Sequence, residues 1–128
     1  MTPTAKLEQA LRTAEEIEVV TTGRRTGRSH AVRVWLAYED GGLWLRADRD
    51  ADWYRNLLAE PRCLVRVAGM EVAAVHEPIA GHELIAQSDS VLRHVIGLWR
   101  SKYGNEWVGD WYVERGRVPV RLRITNAS

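Results

Sequence analysis

Residues 17–46 read IEVVTTGRRTGRSHAVRVWLAYEDGGLWLR, and their hydrophobic period is two. Ile17, Val19 and Thr21 alternate with Glu18, Val20 and Thr22 until Gly23 interrupts them, which predicts a first β-strand. Beyond a basic loop, Val32, Val34 and Leu36 alternate with Arg33 and Trp35 and predict a second strand. Asp40, Gly41 and Gly42 supply turn chemistry, after which Leu43 and Leu45 alternate with Trp44 and Arg46 as far as Ala47. Strands joined by such short turns pair antiparallel.

Working outward, Thr2 can cap a short opening helix with Pro3 in its first turn, because Leu7, Ala10, Leu11 and Ala14 recur at helical spacing. Asp52 can cap a second short helix carrying Trp53, Tyr54, Asn56, Leu57 and Leu58, which Pro61 ends. Cys63, Val65 and Val67 against Val72, Ala74 and His76, joined across Ala68 and Gly69, read as a second hairpin. A longer helix is expected from Ser88 or Ser90, with Val91, Leu92, Val95, Ile96, Trp99 and Tyr103 on one face, Lys102 in the last turn and Gly104 as its stop. In a last strand Val118, Val120, Leu122 and Ile124 face one way and Arg117, Arg121 and Arg123 the other, with Pro119 marking an edge or a bulge. Six strands with short turns and no regular βαβ alternation predict a mainly β, α+β fold: a six-stranded antiparallel barrel, closed or half-closed, with flanking helices.

A chain of 128 residues can enclose one core, so residues 1–128 are expected to form a single domain. No apolar run approaches the roughly 20 residues of a membrane-spanning helix, and the N-terminus lacks the layout of a secretion signal, so a cytoplasmic location is expected. Cys63 is the lone cysteine and is expected to be a buried small hydrophobe. A formal net charge of +1 argues against a nucleic-acid partner. His30, His76, His82 and His94 fall on separate elements, and with no metal-ligand spacing or Ser-His-Asp order no metal site or hydrolase is expected.

Chemistry concentrates in Thr21-Thr22-Gly23-Arg24-Arg25-Thr26-Gly27-Arg28. Glycines let backbone N–H groups approach a ligand, and arginine presents a planar fork matched to phosphate or carboxylate. The segment therefore reads either as an anion site or as an exposed basic turn between strands.

This motif, the strand to Trp35, the Asp-Gly-Gly turn, and Asp52-Trp53-Tyr54-Arg55-Asn56-Leu57-Leu58-Ala59-Glu60-Pro61 together resemble the deazaflavin-dependent nitroreductase family across residues 17 to 76. Lys102-Tyr103-Gly104 is similar to the end of the long helix in a subset of that family. The resemblance implies a flavin-binding split β-barrel that takes coenzyme F-420, or FMN in related branches. It implies that Arg24, Arg25, Thr26, Gly27 and Arg28 hold the phosphate and acidic tail of the cofactor. Ala47, Asp48 and Arg49 would run beside the ring and phosphate, Trp53 would lie near the cofactor, and Asn56 would tie its helix to the barrel. The chain departs from the family in having Arg33 where many members have proline. It also carries Asp48, Arg49, Asp50, Ala51 and Asp52 in place of a glycine-rich loop, where three aspartates oppose an anionic cofactor.

The activity implied is hydride transfer to a small conjugated acceptor such as a quinone, nitroaromatic or enone, with Tyr54, His76, Tyr103 and Tyr112 as candidate proton donors. The alternatives are an FMN-dependent reductase of the same fold, or a non-catalytic split barrel binding a flavin, heme-like or fatty ligand. Split barrels also pair through sheet faces, and an outward-facing Trp35 and Trp44 suit a homodimer.

Overall fold

A computed structural model of the chain describes residues 4–39, 41–77, 97–98, 101–102 and 117–126. Its elements in chain order are α1 (Ala5–Thr13), β1 (Glu16–Thr22), β2 (Ser29–Trp35), β3 (Ala37–Glu39), β4 (Gly42–Asp48), α2 (Asp52–Ala59), β5 (Arg62–Val67), β6 (Met70–His76) and β7 (Arg117–Asn126). The strands form one antiparallel sheet in the order β2-β1-β5-β6-β7-β4-β3, curled into a half-barrel.

Seven strands stand where six were expected, and the extra one arises at Leu36. Both Leu36 and Ala37 are buried, so two successive side chains point inward and the pleat breaks between them. Before the break β2 pairs with β1, from Glu16 opposite Trp35 to Thr22 opposite Ser29. After it the chain crosses to the far edge of the sheet, where Ala37 pairs with Trp44 of β4. One continuous segment thus supplies both sheet edges, and the curl follows from that connection.

Alternation places the core. Ile17, Val19 and Thr21 of β1, Cys63, Val65 and Val67 of β5, and Val118, Val120, Leu122 and Ile124 of β7 are all buried. Leu7 and Leu11 of α1 and Leu57 of α2 complete the core, each nearly free of solvent contact. At roughly 1.5–3 kcal/mol per buried large aliphatic side chain, these three residues supply the apolar part of what holds the two short helices to the sheet.

Local details differ from expectation where a side chain found another partner. Thr4, rather than Thr2, caps α1, its Oγ1 accepting from Leu7 N–H at 3.2 Å. Asp52 is the first residue of α2 and Ala51 takes the cap position, because the Asp52 carboxylate is turned to Arg24. Ala68 and Gly69 join β5 to β6 with φ of 49° and 75°, a two-residue turn of the primed type. Pro119 pairs with Arg46 of β4 in the part of β7 that β6 does not reach, a local edge, and a register shift marks β6 at Ala73/Ala74. Trp44 lies on the face opposite Leu43 and Leu45 as expected, but it is buried there, with the Arg121 guanidinium 5.2 Å from its ring centroid. Most of the expected helix from Ser88 or Ser90 to Gly104 lies outside the described residues, within which Gly97, Leu98, Ser101 and Lys102 are helical.

Candidate functional site

The basic segment is a compact turn closed on itself. Gly23 N–H donates to the Arg28 carbonyl at 2.7 Å, and Gly27 N–H donates to the Gly23 carbonyl at 2.8 Å. Gly27 turns the chain with φ of 72°, a conformation that costs a side-chain-bearing residue roughly 1–2 kcal/mol. Arg28 N–H donates to Thr26 Oγ1 at 3.2 Å. The N–H groups of Arg25 and Thr26 remain without a partner among the described residues, as do the exposed guanidinium groups of Arg25 and Arg28.

Arg24 serves differently. Its backbone N–H and its Nη1 both donate to Asn56 Oδ1, at 3.2 and 2.8 Å, while Nη2 meets Asp52 Oδ1 at 3.1 Å. Asn56, buried on α2, uses its other end to donate from Nδ2 to Thr21 Oγ1 at 3.3 Å. A single amide side chain therefore fixes α2 to both β1 and the turn, and Arg24 is a clamp on the helix rather than a free anion donor.

Between the turn and α2 lies a cavity of about 370 Å³. Its walls are Gly23, Arg24, Arg25 and Thr26 from the turn, His30, Ala31 and Val32 from β2, and Asp52, Trp53 and Asn56 from α2. Of the ten residues expected from sequence to bind a cofactor, Arg24, Arg25, Thr26, Trp53 and Asn56 meet here. Gly27, Arg28, Ala47, Asp48 and Arg49 do not line it; Ala47 is buried in the core.

Gly23, His30, Ala31, Val32 and Asp52 line the cavity without having been expected to bind a cofactor, and His30 matters most. The alternation Val32, Val34, Leu36 extends back by one step to His30, so period two already placed the imidazole on the face shared with Val32. A methyl group added at Gly23 would stand 2.8 Å from His30 Nε2, so glycine there lets the ring lie against the turn.

The three loop aspartates do not present bare charge to the cavity. Asp48 lies 3.9 Å from Arg46, Asp50 3.1 Å from Arg55, and Asp52 3.1 Å from Arg24. Each aspartate has its own arginine, and the repulsion expected from three successive carboxylates is offset pair by pair.

The proton-donor candidates fall elsewhere. Tyr54 and His76 meet each other edge to face, with ring centroids 6.2 Å apart, and neither lines the cavity. His76 is buried and its Nδ1 has no partner, so burial pushes its pKa below the ordinary imidazole value, opposed by a hydrogen bond with the Leu57 backbone. Tyr103 and Tyr112 lie outside the described residues. Cys63 is buried as expected, and its thiol pKa is pushed up to about 12 by desolvation. No group of three or more metal-ligating side chains occurs among the described residues.

A family model described as F420H(2)-dependent quinone reductase matches residues 3–107. The chain belongs to that family. Membership makes the protein a reductase dependent on coenzyme F-420, a deazaflavin. Solved structures carry the same fold at low identity. An F420 reductase shares 18% identity over 92% of both chains, with a TM-score of 0.66. An F420-H2 dependent reductase, FDR-A, shares 19% identity over 87% of this chain and 94% of that one, with a TM-score of 0.60. HutZ, a heme storage protein from Vibrio cholerae, shares 16% identity over 98% of this chain and 92% of that one, with a TM-score of 0.71. No curated protein sequence matches the chain. No helix among the described residues is long and apolar enough to cross a membrane.

Proposed function

We propose that the cavity between the basic turn and Trp53 is the F-420 site of this reductase, and that the acceptor is a quinone or another small conjugated molecule. The observation that carries the reading is the juxtaposition of unpartnered donors with a flat apolar wall. The Arg25 guanidinium and the N–H groups of Arg25 and Thr26 suit an anionic group. Trp53, across the same cavity, suits a planar ring. The residues present fit a cofactor that joins a ring to a charged tail.

When bound, reduced deazaflavin supplies the hydride for the acceptor. Arg25 offsets negative charge on the ligand, while Trp53 from α2 and Val32 from β2 shield the cavity from water on its two flanks. Arg24 and Asn56 keep α2, and therefore Trp53, at a fixed distance from the turn. Gly27 holds the turn in shape. Ala47, Asp48 and Arg49, at the end of β4, would meet parts of the cofactor that reach beyond the cavity. The same reading gives a cytoplasmic enzyme that pairs as a homodimer.

The test is a fluorescence titration of purified protein with F-420 and, separately, with FMN. F-420 is expected to saturate the signal and to support reduction of a quinone panel. Arg25→Ala should weaken binding about tenfold, the worth of one charge-assisted hydrogen bond, with an unchanged unfolding midpoint. Preferential saturation by FMN would replace the deazaflavin reading with a flavin one. Absence of binding by either would remove the cavity from the mechanism.

A further inference from the structure

Resting on the reading of this cavity as the F-420 site, we propose that Gly23 is a specificity-determining position for the cofactor: its missing side chain leaves a seat, flanked by Thr26 Oγ1 and His30 Nε2, for an oxygen of the ligand's anionic group. The residue lines the cavity where β1 passes into the basic turn.

Backbone conformation does not account for a glycine here. Positive φ occurs at Gly27, Gly41 and Gly69, and Gly23 is not among them. Its N–H donates to the Arg28 carbonyl and its carbonyl accepts from Gly27 N–H, bonds that any residue other than proline could make. Where the backbone is ordinary, alanine is favoured over glycine because it has less conformational freedom to lose on folding. Space is what remains. A methyl group at Gly23 would stand 2.8 Å from His30 Nε2 and 2.9 Å from Thr26 Oγ1, whereas one at Gly27 would meet nothing within 4 Å.

The two polar atoms that converge over this bare Cα are both still able to donate. Thr26 Oγ1 accepts from Arg28 N–H at 3.2 Å, which leaves its own proton for a ligand. The His30 imidazole has no hydrogen-bond partner among the described residues, and it carries at least one N–H whatever its charge. Both atoms lie within 3 Å of one point, close enough together for a single oxygen to bridge them. Arg25, on the same cavity wall, supplies charge; the hydroxyl and the imidazole supply direction. An oxyanion resting on Gly23 can meet all three, and a methyl group there would hold it off.

The experiment measures dissociation constants by tryptophan quenching for F-420, for the deazaflavin nucleoside that lacks phosphate and tail, and for that nucleoside carrying the phosphate alone. Wild type, Gly23→Ala, His30→Ala, the Gly23→Ala/His30→Ala double variant and Arg25→Ala are compared, each with its urea midpoint. Gly23→Ala should weaken F-420 binding about tenfold, the effect of one hydrogen bond to a charged group, and leave the bare nucleoside unaffected. Its urea midpoint should be unchanged or raised, since the exposed His30 ring can swing aside. In the His30→Ala background no ring obstructs the methyl, yet Gly23→Ala should still weaken F-420 about threefold by displacing the oxygen from Thr26. A loss shared by the phosphorylated nucleoside assigns the seat to the phosphate, and a loss confined to F-420 assigns it to a tail carboxylate. Equal losses for F-420 and the bare nucleoside, or no effect of Gly23→Ala once His30 is removed, overturn the proposal, because the glycine then only makes room for the ring. Should Arg25→Ala weaken F-420 while Gly23→Ala does not, this inference falls and the cavity assignment stands. F-420 binding that neither substitution alters overturns both.

Discussion

Replacing Asn56 by alanine removes three hydrogen bonds at once: from Arg24 N–H, from Arg24 Nη1, and to Thr21 Oγ1. A neutral bond contributes about 1 kcal/mol and one to a charged donor about 1.5–3 kcal/mol, which puts the loss near 4 kcal/mol before water relieves the Arg24 donors. With that relief we expect about 3 kcal/mol, a large share of the roughly 5–15 kcal/mol of an ordinary domain. The corresponding fall in Tm is about 10 °C. Urea unfolding of wild type, Asn56→Ala, Arg24→Ala and the double variant gives both the loss and the coupling. Residues of one network should couple by at least about 1 kcal/mol, so the double variant should be less destabilised than the sum of the singles. Asn56→Asp keeps both contacts with Arg24 and should recover most of the stability. A loss under about 1 kcal/mol for Asn56→Ala, or strict additivity with Arg24→Ala, would show that the buried amide does not fasten α2 and would refute the reasoning.

Ala68 holds φ of 49° in the turn between β5 and β6, so Ala68→Asn should stabilise the fold by about 0.5–1 kcal/mol, measured as a raised urea midpoint; an unchanged or lowered midpoint contradicts it. Cys63, with its thiol raised to about 12 and donating to the Ala74 carbonyl at 3.7 Å, should resist a thiol reagent at pH 8 in the native protein and react fully in urea. Rapid native labelling would mean that the thiol is not enclosed. For His76 the folded-state pKa is lowered, so the unfolded chain binds the proton more readily. Its contribution to stability should be present above about pH 6.5, the ordinary imidazole value, and be lost progressively as pH falls toward the folded-state value. His76→Phe should remove that part of the pH dependence in urea titrations between pH 7 and 5; an identical slope in the two proteins would contradict it.

Period-two patterning carried the inward faces of β1, β5, β6 and β7, because one buried face forces strict alternation. It did not carry the break between β2 and β3. Leu36, Ala37 and Tyr38 are successive apolar residues, which a long strand and a kinked one accommodate equally well at the level of composition, and only the pairing of Ala37 with Trp44 distinguishes them. Cap positions were misread for a related reason. Thr2 and Thr4 have the same chemistry, and Asp52 is an excellent cap until an arginine 28 residues away claims its carboxylate. At the site, the motif named the turn and the Trp53 helix, whereas the division of labour between Arg24 and Arg25 depends on long-range geometry. The face His30 occupies was legible from the alternation that includes Val32, but its place at the cavity depends on how the turn folds back against β2, which no local pattern encodes.

The placement of β2 at the rim of the sheet reaches beyond shape. Its backbone is laddered to β1 on one side and, among the described residues, to no strand on the other. The cavity is therefore bounded on one flank by an edge strand, laddered on one side alone, and on the other by a helix fastened through Asn56. Moving β2 outward would breach one ladder only, whereas moving the helix would break the Asn56 contacts that hold the indole, so a bulky guest would be accommodated at less cost on the β2 flank.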